Sequence, residues 1–323
     1  MTLACDAHRP ASTTGAPGVP AAGPRRATLG AGLALTAVLC VQLGAAASTS
    51  LFATVGPAGA AWLRLSWAAV IFIVIARPRP WAMARRDLVD AIALGLVSAG
   101  MTVLFFEAIA RIPLATAAAC EFLGPLTVAV ARRSRRSGRH GLAWPALAGA
   151  GVLLVTQPWE GSVNPAGIGY ALAAATCWAS YILLTQRVGD RLTGLTGLAV
   201  SMPVAALLAA AIAAPQALSR VTAGAVVAAA GLALLLPVLP YALELLALRR
   251  LESAAFGTLM SVEPAAALLV GIVVLGQAPR PTQALGVLLV TASAGGATRT
   301  GRRSTPAAEP TPVLTQNPDL KGS

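Results

Sequence analysis

Ten apolar stretches follow one another along this chain of 323 residues, over about 28–47, 58–76, 88–106, 113–131, 142–158, 167–186, 193–213, 221–247, 254–275 and 281–297. Roughly 17–25 apolar residues are enough to cross a bilayer as a helix. None of the stretches alternates polar and apolar residues as a barrel strand would, so each predicts a membrane-spanning helix. Composition agrees. The chain is 56% hydrophobic and 11% charged, against about 25% charged in ordinary soluble proteins, and its mean hydropathy is +0.73.

The formal net charge of +12 would suggest nucleic acid in a soluble chain. Here the arginines gather in alternate joints between the apolar stretches, so the bilayer is the expected partner and nucleic acid is not. With the N-terminus inside, eighteen arginines flank the cytoplasmic ends, among them Arg25, Arg26, Arg85, Arg86 and the cluster Arg132, Arg133, Arg135, Arg136 and Arg139. Only Arg111, Arg220 and Arg280 fall outside. This bias predicts that both termini are cytoplasmic. Residues 1–27 and 298–323, rich in small residues and proline, read as disordered cytoplasmic tails. The first apolar stretch is expected to persist as a spanning helix rather than to be a signal peptide.

The chain also repeats itself. Gly30, Gly32, Ala34 and Cys40 recur as Gly167, Gly169, Ala171 and Cys177, while Ala108, Arg111, Ala115 and Pro125 recur as Ala247, Arg250, Ala254 and Pro264. The nearly constant offset divides the chain into repeats at 28–158 and 167–297, each with five stretches. An odd number turns the second copy upside down. The predicted fold is an all-α membrane protein of ten transmembrane helices in two inverted five-helix repeats, a plan that places substrate sites near the midplane.

Two acids interrupt the apolar pattern, Glu121 and Glu263, each close to a proline, Pro125 and Pro264. An acidic side chain at the bilayer centre costs about 2.5–3.5 kcal/mol even on lenient scales, so such residues point to passage of something polar. At the helical rise, Glu121 lies about 12 Å and Glu263 about 13–14 Å from its helix end. Either could carry a proton or hold an ammonium group; the competing reading is a structural hydrogen bond to a neighbouring helix. The prolines mark helix interruptions, because each removes a backbone donor. Arg64, about 9 Å deep by the same rise, could receive a carboxylate or hold Glu121 ionised. Alternatively it snorkels to the outer surface beside Trp62. Gln42, Trp178 and Tyr241 could line a cavity or simply pack helices. Glu244 and Glu107 lie near stretch ends, where snorkelling also explains them. Gly95, Gly100, Gly149 and Gly151 are expected to permit close helix approach.

Several classes are disfavoured. Cys5, Cys40, Cys120 and Cys177 show no metal-ligand spacing and are expected to be reduced packing residues; His8 and His140 lie in a tail and an arginine-rich joint. No metal site and no cofactor is expected. With no nucleophile constellation and no P-loop, neither a membrane enzyme nor an ATP-driven pump is expected. A receptor or scaffold would leave the two midplane acids unexplained.

The run Gln42-Leu-Gly-Ala, then Leu51-Phe52, Gly56, Gly59 and Leu63-Arg64-Leu65, resembles the first two helices of an EamA-type member of the drug/metabolite transporter superfamily. Glu121-Phe-Leu-Gly-Pro-Leu126, Cys177-Trp178, Tyr181-Ile-Leu183, Gln186-Arg187, Leu239-Pro-Tyr241 with Glu244, Phe256-Gly-Thr-Leu-Met-Ser261 and Glu263-Pro-Ala265 extend the resemblance over about 28–297. Within the superfamily these runs are similar to the threonine/homoserine exporter branch. The resemblance implies proton-driven efflux of a zwitterionic amino acid across the cytoplasmic (inner) membrane, with protons as the coupling partner. Export of another metabolite or a drug is the alternative, and a homodimer is left open. Two departures stand out: Thr49, where the branch often has Lys, and Gln277, where it often has Glu. Both lie near the outer surface and bear on gating or substrate preference.

Overall fold

The structure, a computed structural model, describes residues 24–79, 81, 83–131, 143–157, 164–191, 195–248, 250 and 253–300. Cys5, His8, His140, Arg132, Arg133, Arg135, Arg136 and Arg139, with both terminal segments, lie outside the described residues.

Among the described residues there are thirteen α-helices and no strand. The first half of the chain holds α1 (Pro24–Ser48), α2 (Phe52–Ala76), α3 (Arg85–Ile109), α4 (Leu114–Glu121), α5 (Leu123–Ala131) and α6 (Ala143–Thr156). The second holds α7 (Pro165–Arg191), α8 (Thr196–Ala217), α9 (Ala223–Ala233), α10 (Leu239–Leu248), α11 (Ser253–Met260), α12 (Glu263–Val273) and α13 (Pro281–Thr300). Four helical stretches are long and apolar enough to cross a membrane: Thr28–Ala76, Arg85–Ile109, Pro165–Val188 and Thr196–Arg220. Leu114–Val128, Ala146–Thr156, Ala223–Val238 and Thr258–Val273 are shorter apolar helices.

Three of the helix breaks share one chemical cause. In an α-helix each carbonyl accepts from the N–H four residues on, and proline has none to give. Helix α4 ends at Glu121, four residues before Pro125; α9 ends at Ala233, four before Pro237; α11 ends at Met260, four before Pro264. Each break begins at the carbonyl that its proline leaves without a donor. Helix α2 bends instead at Gly56, whose φ of 74° only glycine adopts without strain, immediately before Pro57.

Packing pairs helices from the two halves of the chain. Helices α3 and α7 run antiparallel and are joined at both ends. At one end Arg111 pairs with Glu107 and lies 4.8 Å over the ring of Tyr170; at the other Arg191 reaches Asp90 at 3.1 Å and Asp87 at 3.7 Å. Glu107 is therefore an ion-pair partner of Arg111. Helices α6 and α13 cross with backbones almost touching. A Cβ on Gly151 would stand 2.7 Å from the Gly286 carbonyl oxygen, and one on Gly286 2.6 Å from that of Gly151. Gly95 approaches the Ser201 carbonyl closely, whereas Gly149 has nothing within 4 Å of a Cβ and serves no close approach. Helix α1 packs on α10 and α12, α2 on α8 and α9, α3 also on α8, and α4 on α7 and α12. Leu29, Leu43, Val70, Val74, Leu207 and Leu288 point outward, as side chains that meet lipid do.

Candidate functional site

The proline breaks bring polar side chains into the middle of the bundle. Glu121 is the last residue of α4 and Glu263 the first of α12, each at a helix break. Pro125 lies in the first turn of α5 and Pro264 in that of α12. Helices α4 and α12 pack on each other, and α1 lies against α12. From α1, Gln42 donates its amide Nε2–H to Oε1 of Glu263 at 3.1 Å. Gln42 is only 1% exposed, and its own Oε1 has no donor. Glu121, 8% exposed, makes no hydrogen bond among the described residues.

Arg64 does not snorkel. It is 6% exposed, with its guanidinium carbon 4.5 Å from the ring centroid of Phe106 on α3. Phe106 is braced in turn by Phe52, at 5.5 Å between centroids. The bend at Gly56–Pro57 comes about two turns before Arg64 and sets the direction of α2 through the bundle. The Nε and Nη1 donors of Arg64 are buried without an acceptor. Its charge attracts Glu121 through space, while Glu263 repels it. No Arg64–Glu121 pair closes to ion-pair distance among the described residues.

Glu244, half-buried in α10, adds a repulsive charge to Glu263. Trp178 on α7 is half-buried and packs edge-on against Phe122, the residue after Glu121, at 5.6 Å. The Tyr241 side chain lies outside the described residues. Gln277 caps α4: its Oε1 accepts from the Leu114 N–H at 3.1 Å. Thr49 donates to the Ala46 carbonyl at 2.7 Å and so turns back onto its own helix.

The group therefore combines one buried cation with spare donors and a row of carboxylates that repel one another. A cation or a proton placed between Glu121 and Glu263 relieves that repulsion, and an anion placed against Arg64 satisfies its spare donors. The three helices that carry Arg64, Glu121 and Glu263 are buried at this level by apolar neighbours, so each interaction is stronger than it would be in water. Sequence reading passes over Phe106, because an aromatic residue in an apolar helix carries no signal of what it faces. The Gly56-Pro57 pair was the available signal for the bend in α2. No group of three or more metal-ligating side chains occurs among the described residues.

Known proteins resemble the chain as follows. The sequence pattern of the EamA-like transporter family matches residues 165–298. The chain is 36% identical over 272 residues to the threonine/homoserine exporter RhtA of Escherichia coli (strain K12), an alignment that spans 83% of this chain and 91% of that protein. The threonine/homoserine exporter RhtA of Salmonella typhimurium (strain SL1344) matches with the same identity and coverage. A solved structure described as "Crystal structure of protein" superposes with a TM-score of 0.56 at 20% identity, over 85% of this chain and 99% of its own. At that identity the likeness is one of fold.

Proposed function

The chain belongs to the EamA-like transporter family, in its threonine/homoserine exporter branch, and on that premise we propose that it exports small zwitterionic amino acids such as threonine and homoserine. In this reading it spans the cytoplasmic membrane ten times with both termini inside. The repeats at 28–158 and 167–297 rock about a site formed by Glu121, Glu263, Arg64 and Gln42, with Trp178, Tyr241 and Glu244 around it.

Helix pairing supports the inverted repeat. Exchanging each helix for its counterpart turns the pair α3–α7 into α10–α1, α3–α8 into α9–α2, α4–α7 into α11–α1 and α5–α7 into α12–α1, all of which are packed pairs. The pairs α2–α8 and α6–α13 map onto themselves. A pseudo-twofold of this kind lets the same contacts open toward either side in turn.

The single observation that carries the substrate class is Arg64, a buried guanidinium with unused donors, in electrostatic reach of the carboxylate of Glu121. A zwitterion satisfies both ends. Its carboxylate takes the Arg64 donors, and its ammonium takes the place of a proton between Glu121 and Glu263. Binding of proton and ammonium is then mutually exclusive, which is the requirement for antiport. A proton entering from outside drives the amino acid off, and the substrate arriving from inside drives the proton off.

Efflux of labelled threonine and homoserine from preloaded cells tests the reading. Efflux that rises with the wild type, stops when the proton gradient is collapsed at constant membrane potential, and is lost in Glu121→Gln and Glu263→Gln variants of equal abundance supports it. A well-folded wild type without efflux of either amino acid overturns the substrate. Efflux indifferent to the proton gradient overturns the coupling.

A further inference from the structure

Away from the midplane, the first turn of α3 and the last turns of α7 enclose an open cleft of about 450 Å³ lined by Arg85, Arg86, Val89, Asp90, Arg187 and Arg191. We propose that this cleft binds the phosphate of an anionic phospholipid headgroup.

Four arginines face two acids here, and the pairing is uneven. Arg191 is held by Asp90 and Asp87, whereas Arg85, Arg86 and Arg187 make no ion pair among the described residues. Arg187 and Arg191 stand one turn apart on α7, and Arg85, Arg86 and Val89 share one side of α3, so the guanidinium groups converge from both walls. The N-cap residue of α3 is Ala84, which offers no side-chain cap. The first intrahelical bond comes from Leu88 to Ala84 at 3.1 Å. The amides of Arg85, Arg86 and Asp87 precede it and have no partner among the described residues. Unpaired arginines beside the uncapped positive end of a helix form an anion site.

Two features select a lipid over free phosphate. Val89, 62% exposed, gives the cleft an apolar wall that a free ion does not need. Trp81, 83% exposed and four residues before Arg85, is the kind of aromatic residue that sits at headgroup level. The proposal goes beyond amino-acid export and does not depend on it. It does add one consequence: the cleft has one wall from each repeat, so a bound headgroup bridges the pair that rocking would shear.

Native mass spectrometry of the full-length protein, purified and offered phosphatidylglycerol, phosphatidylcholine or inorganic phosphate, tests this. Wild-type protein should retain phosphatidylglycerol in preference to phosphatidylcholine. The triple variant Arg85→Gln, Arg86→Gln, Arg187→Gln should lose that preference by roughly fivefold or more, the worth of about one arginine–headgroup attraction. Val89→Asp, which keeps every arginine, should lose it too, while Arg280→Gln at the opposite end should not. A wild-type preference for phosphatidylglycerol in both the triple and the Val89→Asp variants, each monodisperse on gel filtration, overturns the proposal. Inorganic phosphate displacing phosphatidylglycerol at equal concentration also overturns it, in favour of a free-anion site.

Discussion

Gln42 on α1 donates to Glu263 at the start of α12, 221 residues later, across 3.1 Å. Through this bond the first helix of the chain positions the acid that opens a short helix of its second half. The acid is thereby aimed by a neutral amide rather than a cation, while Nε and Nη1 of Arg64 stay without an acceptor.

Removing the bond should cost stability before it costs chemistry. Gln42→Leu should lower the unfolding free energy by about 0.6–1.7 kcal/mol, the range for hydrogen bonds between membrane helices, as read by denaturant unfolding in detergent. A Gln42→Leu protein as stable as the wild type would mean that the bond does not form in the membrane.

The two acids should differ from every other residue in their effect on flux. Glu121→Gln and Glu263→Gln should each cut threonine efflux by roughly tenfold or more, at least about 1.4 kcal/mol, at equal abundance in the membrane. Efflux within a factor of two of wild type in both would remove them from the site.

Arg64 should not be replaceable by lysine. Its planar guanidinium lies over Phe106 with Nε and Nη1 unpartnered, whereas an ammonium offers neither geometry. Arg64→Lys should raise the concentration needed for half-maximal efflux nearly as much as Arg64→Gln does. Phe106→Leu should have a smaller effect, in keeping with about 0.5–2 kcal/mol for the ring–cation contact. If lysine restores normal apparent affinity, the role assigned to the guanidinium fails.

The crossing of α6 and α13 makes a purely structural prediction. Gly286→Leu should abolish the backbone approach to Gly151 and sharply reduce the yield of monodisperse protein, because the obstacle is a carbonyl oxygen rather than a flexible side chain. Gly149→Leu, on α6 near Gly151 but with open space beside it, should be tolerated. Comparing the two by fluorescence-detected gel filtration separates local packing from a general intolerance of bulk.

Gln277 lets the cap and the substituent be separated. Glu at this position keeps an oxygen acceptor for the Leu114 N–H, so Gln277→Glu should leave thermal stability unchanged. Gln277→Leu should cost about 0.5–2 kcal/mol, the worth of a lost N-terminal cap. A large loss with Glu would show that the amide itself, and not only its oxygen, is required.

The apolar stretches, their order and their approximate ends are readable residue by residue, because a backbone in lipid must satisfy its own polar groups and has almost no alternative to the helix. Two of the breaks are readable as well. A proline at position i leaves the carbonyl at i−4 without a donor, and α4 and α11 end at that residue before Pro125 and Pro264, the two interruptions the sequence singled out; the break before Pro237 was not singled out, and α8 runs on through Pro203. The acids could be singled out on cost alone, since an ionisable side chain in an apolar stretch is too expensive to be incidental.

What each polar side chain faces was decided only by the tertiary structure. Arg64 has the same neighbours in sequence whether it snorkels or turns inward; Phe106, from another helix, makes the inward position tenable. The exchange of Gln42 with Glu263, the antiparallel joining of α3 to α7 by Arg111 and Arg191, and the close crossing at Gly151 and Gly286 likewise depend on which helix lies beside which. Hydropathy and backbone hydrogen bonding act along the chain and are legible there. Short-range contacts between helices far apart in sequence exist only once the bundle has closed.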